Sequence, residues 1–232
     1  MFETNNLIIE EEEYPQPLHH IDTPFERATF GMGCFWGIDS LFGATQGVLR
    51  TRVGYTGGTT SNPIYKDLGD HTEVIEIHYD PKRITYNQLL ELFWNNHEYG
   101  LCTKIKRQYA SLIVYHTDEQ KKIAEESLAY EREQRAPEHI TTEILPCDIF
   151  YPAEDYHQKY RLQSHKELTQ SLGMDSRLLQ TSHVAARLNG YLVGVGGVAQ
   201  YLKEAKNLGL TPEQQEYVRK FVEENEGGGL FC

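Results

Sequence analysis

Apolar positions along this chain recur at two periods, and the changes between them mark out its elements. Glu-Arg-Ala-Thr-Phe at 26–30 reads as a short strand, after which Ile38, Leu41 and Phe42 fall at helical spacing. Residues 48–55 return to a strand pattern ended by Gly57-Gly58, and a stretch rich in Thr, Ser, Asn and Pro then reads as a loop to Asp70. Alternation resumes over 73–79 and is closed by Asp80-Pro81. Thr85, with Gln88 three residues on, is a capping-box pattern that opens a helix burying Leu89, Leu90, Phe93 and Trp94. A strand at 109–115, a polar helix at 119–135 and a short strand at 141–145 complete the series. The order β-α-β-β-α-β-α-β predicts an α+β fold with helices packed on a sheet, as in a split β-α-β unit. Residues 164–225 read as several helices, the clearest following Thr211-Pro212, and the chain closes on Gly-Gly-Gly-Leu-Phe-Cys232. The predicted organisation is an acidic irregular lead-in at 1–24, an α+β body at 25–162, and a helical extension at 163–232 with a flexible glycine-rich tail.

Composition narrows the function classes. With 232 residues, 39% hydrophobic and 24% charged, the chain suits one globular domain with a small appendage. A formal net charge of −12 argues against a nucleic-acid partner or an anionic membrane surface. No apolar run approaches the roughly 18 residues that span a bilayer. The start, Met-Phe-Glu-Thr-Asn-Asn, has no basic segment, so a cytoplasmic, or also nuclear, location is expected. Four cysteines, Cys34, Cys102, Cys147 and Cys232, form no Cys-x-x-Cys pair, so neither a zinc ribbon nor a thioredoxin motif is predicted. In a reducing compartment they read as thiols or redox-active groups. His19-His20 has no further metal ligands near it in sequence.

The chemistry is concentrated at residues 31–37, Gly-Met-Gly-Cys-Phe-Trp-Gly. Cys34 falls where a strand becomes a helix, and unpaired N–H groups and the positive end of the helix dipole there favour a thiolate. A small buried hydrophobe is the alternative, but such a position needs no glycine on either side, and Phe35-Trp36 reads as one wall of an apolar pocket. Glu73 shares a strand face with Ile75, Ile77 and Tyr79. A carboxyl at the mouth of an apolar face keeps its proton, whereas a strand-end carboxylate would face water, and spacing alone leaves both open. Residues 151–160 suit a helix buttressing a site, with His157 as a satisfied structural histidine.

Gly-Cys-Phe-Trp-Gly closely resembles the active-site signature of A-type peptide methionine sulfoxide reductases. Further blocks follow in that family's order: Val-Gly-Tyr-Thr-Gly-Gly (53–58), Asn-Pro-Ile-Tyr (62–65), His-Thr-Glu-Val (71–74), Gln-Tyr (108–109) and Tyr-Pro-Ala-Glu-Asp-Tyr-His-Gln-Lys-Tyr (151–160). The resemblance spans roughly residues 26–162. It implies a two-layer α/β sandwich on a ferredoxin-like mixed sheet, and reduction of methionine S-sulfoxide, free or within peptides and proteins. No metal or organic cofactor is implied. Cys34 would be the nucleophile that becomes a sulfenic acid, and Glu73 the acid that protonates the sulfoxide oxygen. Tyr65 and Tyr109 would steady that oxygen, a choice that 15 tyrosines do not make by themselves. Phe35 and Trp36 would hold the ε-methyl group. The family commonly resolves the sulfenic acid with a glycine-rich C-terminal cysteine, which points to Cys232 rather than Cys102 or Cys147, and to a Cys34–Cys232 disulfide reduced by thioredoxin or a similar dithiol. A monomer is expected. Three departures stand out: Lys104 where an aspartate is usual, a short loop between Tyr65 and Glu73, and Asp39 in place of a glutamate. Two other readings use the same residues. A thiol peroxidase would employ Cys34 but gives no reason for Phe35-Trp36 and Glu73, and a redox sensor would follow if the Lys104 loop had ended catalysis.

Overall fold

The computed structural model describes residues 15–97, 99 and 106–228. Its first part runs β1 (Glu26–Met32), α1 (Phe35–Gly43), β2 (Val48–Thr56), β3 (Thr72–Tyr79), α2 (Tyr86–Asn95), β4 (Ser111–Tyr115), α3 (Asp118–Gln134), β5 (Glu143–Pro146) and β6 (Tyr151–Pro152). The strands form one mixed sheet in the order β5-β4-β1-β3-β2-β6. β1 is antiparallel to β3 and β4, and β2 to β3 and β6, while β5 joins β4 in parallel. The inner order β4-β1-β3-β2 comes from two interlocked crossovers, β1-α1-β2 and β3-α2-β4, each of which straddles a strand of the other. The α3 crossover supplies the length that a parallel partner requires.

Alternation along the strands gives the sheet two unlike faces. Phe30, Ile75, Ile77 and Tyr79 meet Phe42, Phe93, Ala124 and Leu128 from α1, α2 and α3 in the main core. On the other face Val74, Leu112 and Val114 form a smaller cluster, covered by Leu145, Cys147 and Phe150. Thr85 caps α2 with the reciprocal Gln88 bonds that its sequence pattern predicts.

Two segments differ from the sequence expectation. Tyr109 does not begin a strand: it ends a 3-10 turn, Arg107–Tyr109, whose Arg107 carbonyl accepts a hydrogen bond from Thr72 Oγ1 at 2.9 Å. Residues 151–160 are not a helix but the two-residue strand β6, a 3-10 turn at Asp155–His157 and an extended Gln158. The physical reason is Gln158, whose amide accepts from Val53 N at 2.9 Å and donates to Val53 O at 2.8 Å. Ala153 N also donates to Val53 O at 3.0 Å, so the buried Gln158 side chain completes the bonding of Val53 at the edge of β2 by taking up its N–H as well.

Among the described residues six α-helices follow: α4 (Tyr160–Gln163), α5 (Lys166–Ser171), α6 (Leu178–Thr181), α7 (His183–Tyr191), α8 (Gly197–Glu204) and α9 (Pro212–Asn225). Leu162, Leu168, Leu188, Tyr191, Tyr201, Val218 and Val222 give them a core of their own. α7 lies directly against α1. A Cβ placed on Gly43 would come within 2.3 Å of Ala186 O, and one on Gly190 within 2.3 Å of Ser40 O, so the backbones touch where each helix carries glycine. Arg187 donates to Gly43 O at 3.0 Å and to Thr45 O at 2.6 Å, closing the C-terminal end of α1. The segment before β1 is strapped to these helices through Leu18 N to Leu208 O and Val184 N to Leu18 O. His19 there meets Ser182 Oγ at 2.9 Å. Among the described residues no helix is long and apolar enough to cross a membrane.

Candidate active site

Gly33 takes φ +83°, a left-handed turn that carries β1 straight into α1 with Cys34 at the N-cap. The first helical amide, Phe35 N, donates to Glu73 Oε2 at 3.1 Å, and Gln108 Nε2 donates to Glu73 Oε1 at 2.6 Å. Three segments far apart in sequence therefore converge: the start of α1, the start of β3 and the 107–109 turn. Glu73 is 1% exposed. Burial pushes its carboxyl up to about 7, opposed by the Gln108 and Phe35 hydrogen bonds and assisted by the neighbouring Cys34. Glu73 therefore holds its proton well above the usual carboxylate range, an outcome that strand spacing alone left open.

Beyond Cys34 the aromatic side chains form a continuous wall. Phe35 is buried against Tyr55 and His157, with ring centroids 5.9 and 5.0 Å away. Trp36 is half-buried, stacked on Tyr160 at 3.9 Å and an interplanar angle of 5°, and its Nε1 donates to His157 Nδ1 at 3.0 Å. That bond leaves the proton of neutral His157 on Nε2, which is buried without a partner among the described residues. Burial lowers the imidazole pKa, opposed by Glu154, so the ring stays neutral near pH 7. His157 is therefore only half satisfied, contrary to the expectation of a fully bonded structural histidine. It touches Tyr65 at 4.5 Å and Tyr156 at 4.0 Å.

Tyr65 and Tyr109 arrive from different loops. Glu154 fixes the first by accepting from Tyr65 N at 3.0 Å and from Tyr55 OH at 2.8 Å. Burial, with the Tyr65 side chain beside it, holds the Tyr109 phenol well above its ordinary value, so it stays a neutral donor. The structure brings Cys34, Phe35, Trp36, Glu73, Tyr65 and Tyr109 to one end of the sheet. Cys232, Cys102 and Lys104 lie outside the described residues. Cys147 follows β5 as a half-buried thiol on the opposite sheet face, its pKa raised chiefly by burial.

A buried ion pair stands behind the wall. Lys159 Nζ lies 3.1 Å from Asp39 Oδ1 and 2.7 Å from Thr51 O, with both side chains at most 1% exposed. Lys159 takes φ +50°, a left-handed conformation that costs a non-glycine residue energy, and its N–H also reaches Asp39 Oδ2 at 3.1 Å. The pair joins α1 to the segment carrying His157 and Tyr160, so Asp39 is a clamp in this chain. Among the described residues no three His, Cys, Asp or Glu side chains are grouped to hold a metal ion.

Comparison with known proteins identifies this arrangement. The model of the family "Peptide methionine sulfoxide reductase" matches residues 26–187. The chain belongs to the peptide methionine sulfoxide reductase family. A second model, the helical domain of selenoprotein methionine sulfoxide reductase A, matches residues 173–223. A peptide methionine sulfoxide reductase of Drosophila melanogaster is 61% identical over 93% of this chain and 88% of its own length. Peptide methionine sulfoxide reductase A5 of Arabidopsis thaliana is 39% identical over 73% of this chain and 69% of its own. The solved methionine sulfoxide reductase A of Corynebacterium diphtheriae superposes with a TM-score of 0.56 at 32% identity, covering 65% of this chain and 82% of that one. The protein is thus an A-type reductase of methionine sulfoxide, an oxidoreductase, on a mixed α/β fold.

Sequence reasoning passed over three members of this reductase's site. Glu154 and Lys159 lie in the recognised 151–160 block, but their partners on β2, the Tyr65 loop and α1 follow only from the tertiary fold. Gln108 was visible as the residue beside Tyr109, without a role.

Proposed function

We propose that the reductase acts on methionine S-sulfoxide, free or within polypeptides, through a sulfenic acid on Cys34. The observation that carries this reading is Glu73, a carboxyl whose pKa burial raises to about 7 and which is bonded to the amide of the residue after Cys34. The Cys34 thiolate attacks the sulfoxide sulfur while Glu73 gives its proton to the oxygen. Methionine leaves and the oxygen remains on Cys34 as the sulfenic acid. Cys34 sulfur loses two electrons, the substrate sulfur gains two, and one proton is consumed. The phenols of Tyr65 and Tyr109 hydrogen-bond the oxygen, and Phe35 with Trp36 encloses the methyl group.

Recycling follows by thiol chemistry. Cys232 condenses with the sulfenic acid, releasing water and forming a Cys34–Cys232 disulfide, which thioredoxin or a similar dithiol reduces by exchange. The family's use of such tails and the glycines at 227–229 support this assignment. Single-turnover reduction of each sulfoxide epimer, followed by mass, tests the reading. One equivalent of methionine from the S epimer alone is expected, and none from Cys34→Ser. Turnover of the R epimer at equal rate, or product from Cys34→Ser, would refute it. Cys232→Ser is expected to release that first equivalent at near-normal speed yet fail to turn over with thioredoxin.

A further inference from the structure

The two groups that hold Glu73 are both neutral donors. Gln108 Nε2 lies 2.6 Å from Oε1 and Phe35 N 3.1 Å from Oε2, so each carboxyl oxygen has an N–H directed at it. Among the described residues, the titratable groups that face this carboxyl are Cys34 at the start of α1, Tyr55 from β2 and Tyr109 from the 107–109 turn. None of them is a cation. Arg107, the residue before Gln108, turns its guanidinium to Glu143 Oε1, Asp70 O and Gly57 O. An acid that must release a proton into a buried pocket leaves a charge behind, and here the groups placed to receive it are amides.

We propose that Gln108 is a positioning residue of the reductase: with the Phe35 N–H it grips the Glu73 carboxyl by both oxygens and stabilises the negative charge left when the proton goes to the sulfoxide oxygen. The proposal rests on the reading of Glu73 as the acid. In the balanced step, negative charge leaves the Cys34 sulfur as it bonds to the substrate and appears on Glu73. Cys34 is the N-cap of α1 and Phe35 N its first amide, so both ends of that transfer lie at one helix N-terminus. The positive end of the helix serves the thiolate before the step and the carboxylate after it. Gln108 adds a second donor, on the other carboxyl oxygen. Its hydrogen bond is therefore worth more in the transition state than in the ground state, which is the condition for accelerating the step.

A hydrogen bond to the charged form lowers the pKa of an acid, so removing it has a defined sign. The test is stopped-flow loss of the Cys34 thiol in the full chain with free methionine S-sulfoxide between pH 5 and 9. Wild type should show a limb that falls as Glu73 loses its proton, and Glu73→Gln should lack that limb. In Gln108→Met, which keeps length but has no donor, the midpoint should move upward by about one to two pH units, from the usual strength of a bond to a charged group. The low-pH plateau should drop roughly 10-fold, because a weaker acid gives up its proton more slowly. Gln108→Asn, which keeps an amide one methylene back, should shift the midpoint the same way by less, so the inference does not hang on one variant folding. A plateau that drops while the midpoint stays at the wild-type value in both variants would make Gln108 a space-filler and overturn the proposal. A limb that survives unchanged in Glu73→Gln would overturn the acid reading instead, and the proposal with it. A limb lost in Glu73→Gln but unmoved in the Gln108 variants defeats the Gln108 inference alone.

Discussion

Glu73 and Glu76 lie three residues apart on β3, are both 1% exposed, and have opposite fates. Glu73 points to the face covered by α1 and meets two neutral donors, and burial dominates, raising its carboxyl to about 7. Glu76 points to the other face, where its Oε1 accepts from Arg52 Nε and His78 Nε2, each at 2.9 Å. Burial pushes that carboxyl up as well, but the His78 and Arg52 hydrogen bonds and the Arg52 charge outweigh it and leave it at about 2. His78 is fixed in turn, its Nδ1 accepting from Arg50 Nε at 2.8 Å. Equal burial thus yields a proton donor on one face and a permanent anion on the other. What separates them is the formal charge of the partners, since an amide satisfies a carboxylate's geometry without compensating its charge.

The comparison is broken most directly by exchanging each carboxyl for an amide. Glu73→Gln should slow formation of oxidised Cys34 by ~10²–10⁴-fold, the usual worth of general acid catalysis, with little change in substrate affinity. A rate within a few-fold of wild type would show that Glu73's proton is idle. The pH dependence of stability carries the next effect. A carboxyl raised from 4.5 to about 7 favours folding fully below pH 4.5 and loses that contribution as pH rises towards 7. The shift corresponds to on the order of 3 kcal/mol. Denaturant titrations should show Glu73→Gln gaining stability relative to wild type between pH 5 and 8, and parallel curves would contradict the raised pKa.

Glu76 has the opposite sign. Its depressed carboxyl stabilises the fold above pH 4.5, and that contribution is lost as pH falls from 4.5 towards 2. At pH 7, Glu76→Gln should cost about 2 kcal/mol, because Arg52 is left half-buried without its counter-charge, while single-turnover chemistry stays near wild type. A stability loss with an equally large rate loss would mean that the two faces of β3 are coupled.

The two carboxylates were not equally legible. Alternation over 73–79 placed them on opposite faces and put Glu73 with Ile75, Ile77 and Tyr79, as the main core confirms. It could not name their partners. Arg52 stands beside Glu76 because β2 pairs with β3 in a particular register, and Gln108 reaches Glu73 because a 3-10 turn, rather than the expected strand, precedes β4. The strand and helix order was readable because each element carries its own period. The 151–160 segment was not, because its conformation depends on Gln158 bonding Val53 and on Lys159 holding a left-handed backbone against Asp39, both set by distant residues. Gly43 and Gly190 were the available signs that α7 touches α1, but a glycine inside a helix announces close approach without naming the other side.

The smallest effect asks whether Glu76 is held by charge alone or also by the shape of its partner. Arg52 bonds Glu76 through Nε while its guanidinium lies 4.6 Å from the centroid of the Phe150 ring. Arg52→Lys keeps a positive charge on a stem of similar reach but loses both the planar Nε–H geometry and the stacking on Phe150. The side chain is 33% exposed, so water and salt screen its attraction and the retained charge should recover most of the pair. The remaining cost is that of a partly exposed cation–π contact and a poorer hydrogen bond, about 0.5–1 kcal/mol. Equilibrium unfolding at pH 7 should show that loss with unchanged single-turnover chemistry, and the acid-unfolding transition should begin at slightly higher pH, since Glu76 is then less strongly depressed. A loss as large as that of Glu76→Gln would mean that the guanidinium's geometry, rather than its charge, keeps Glu76 ionised, and the contrast between the two faces would have to be drawn in those terms.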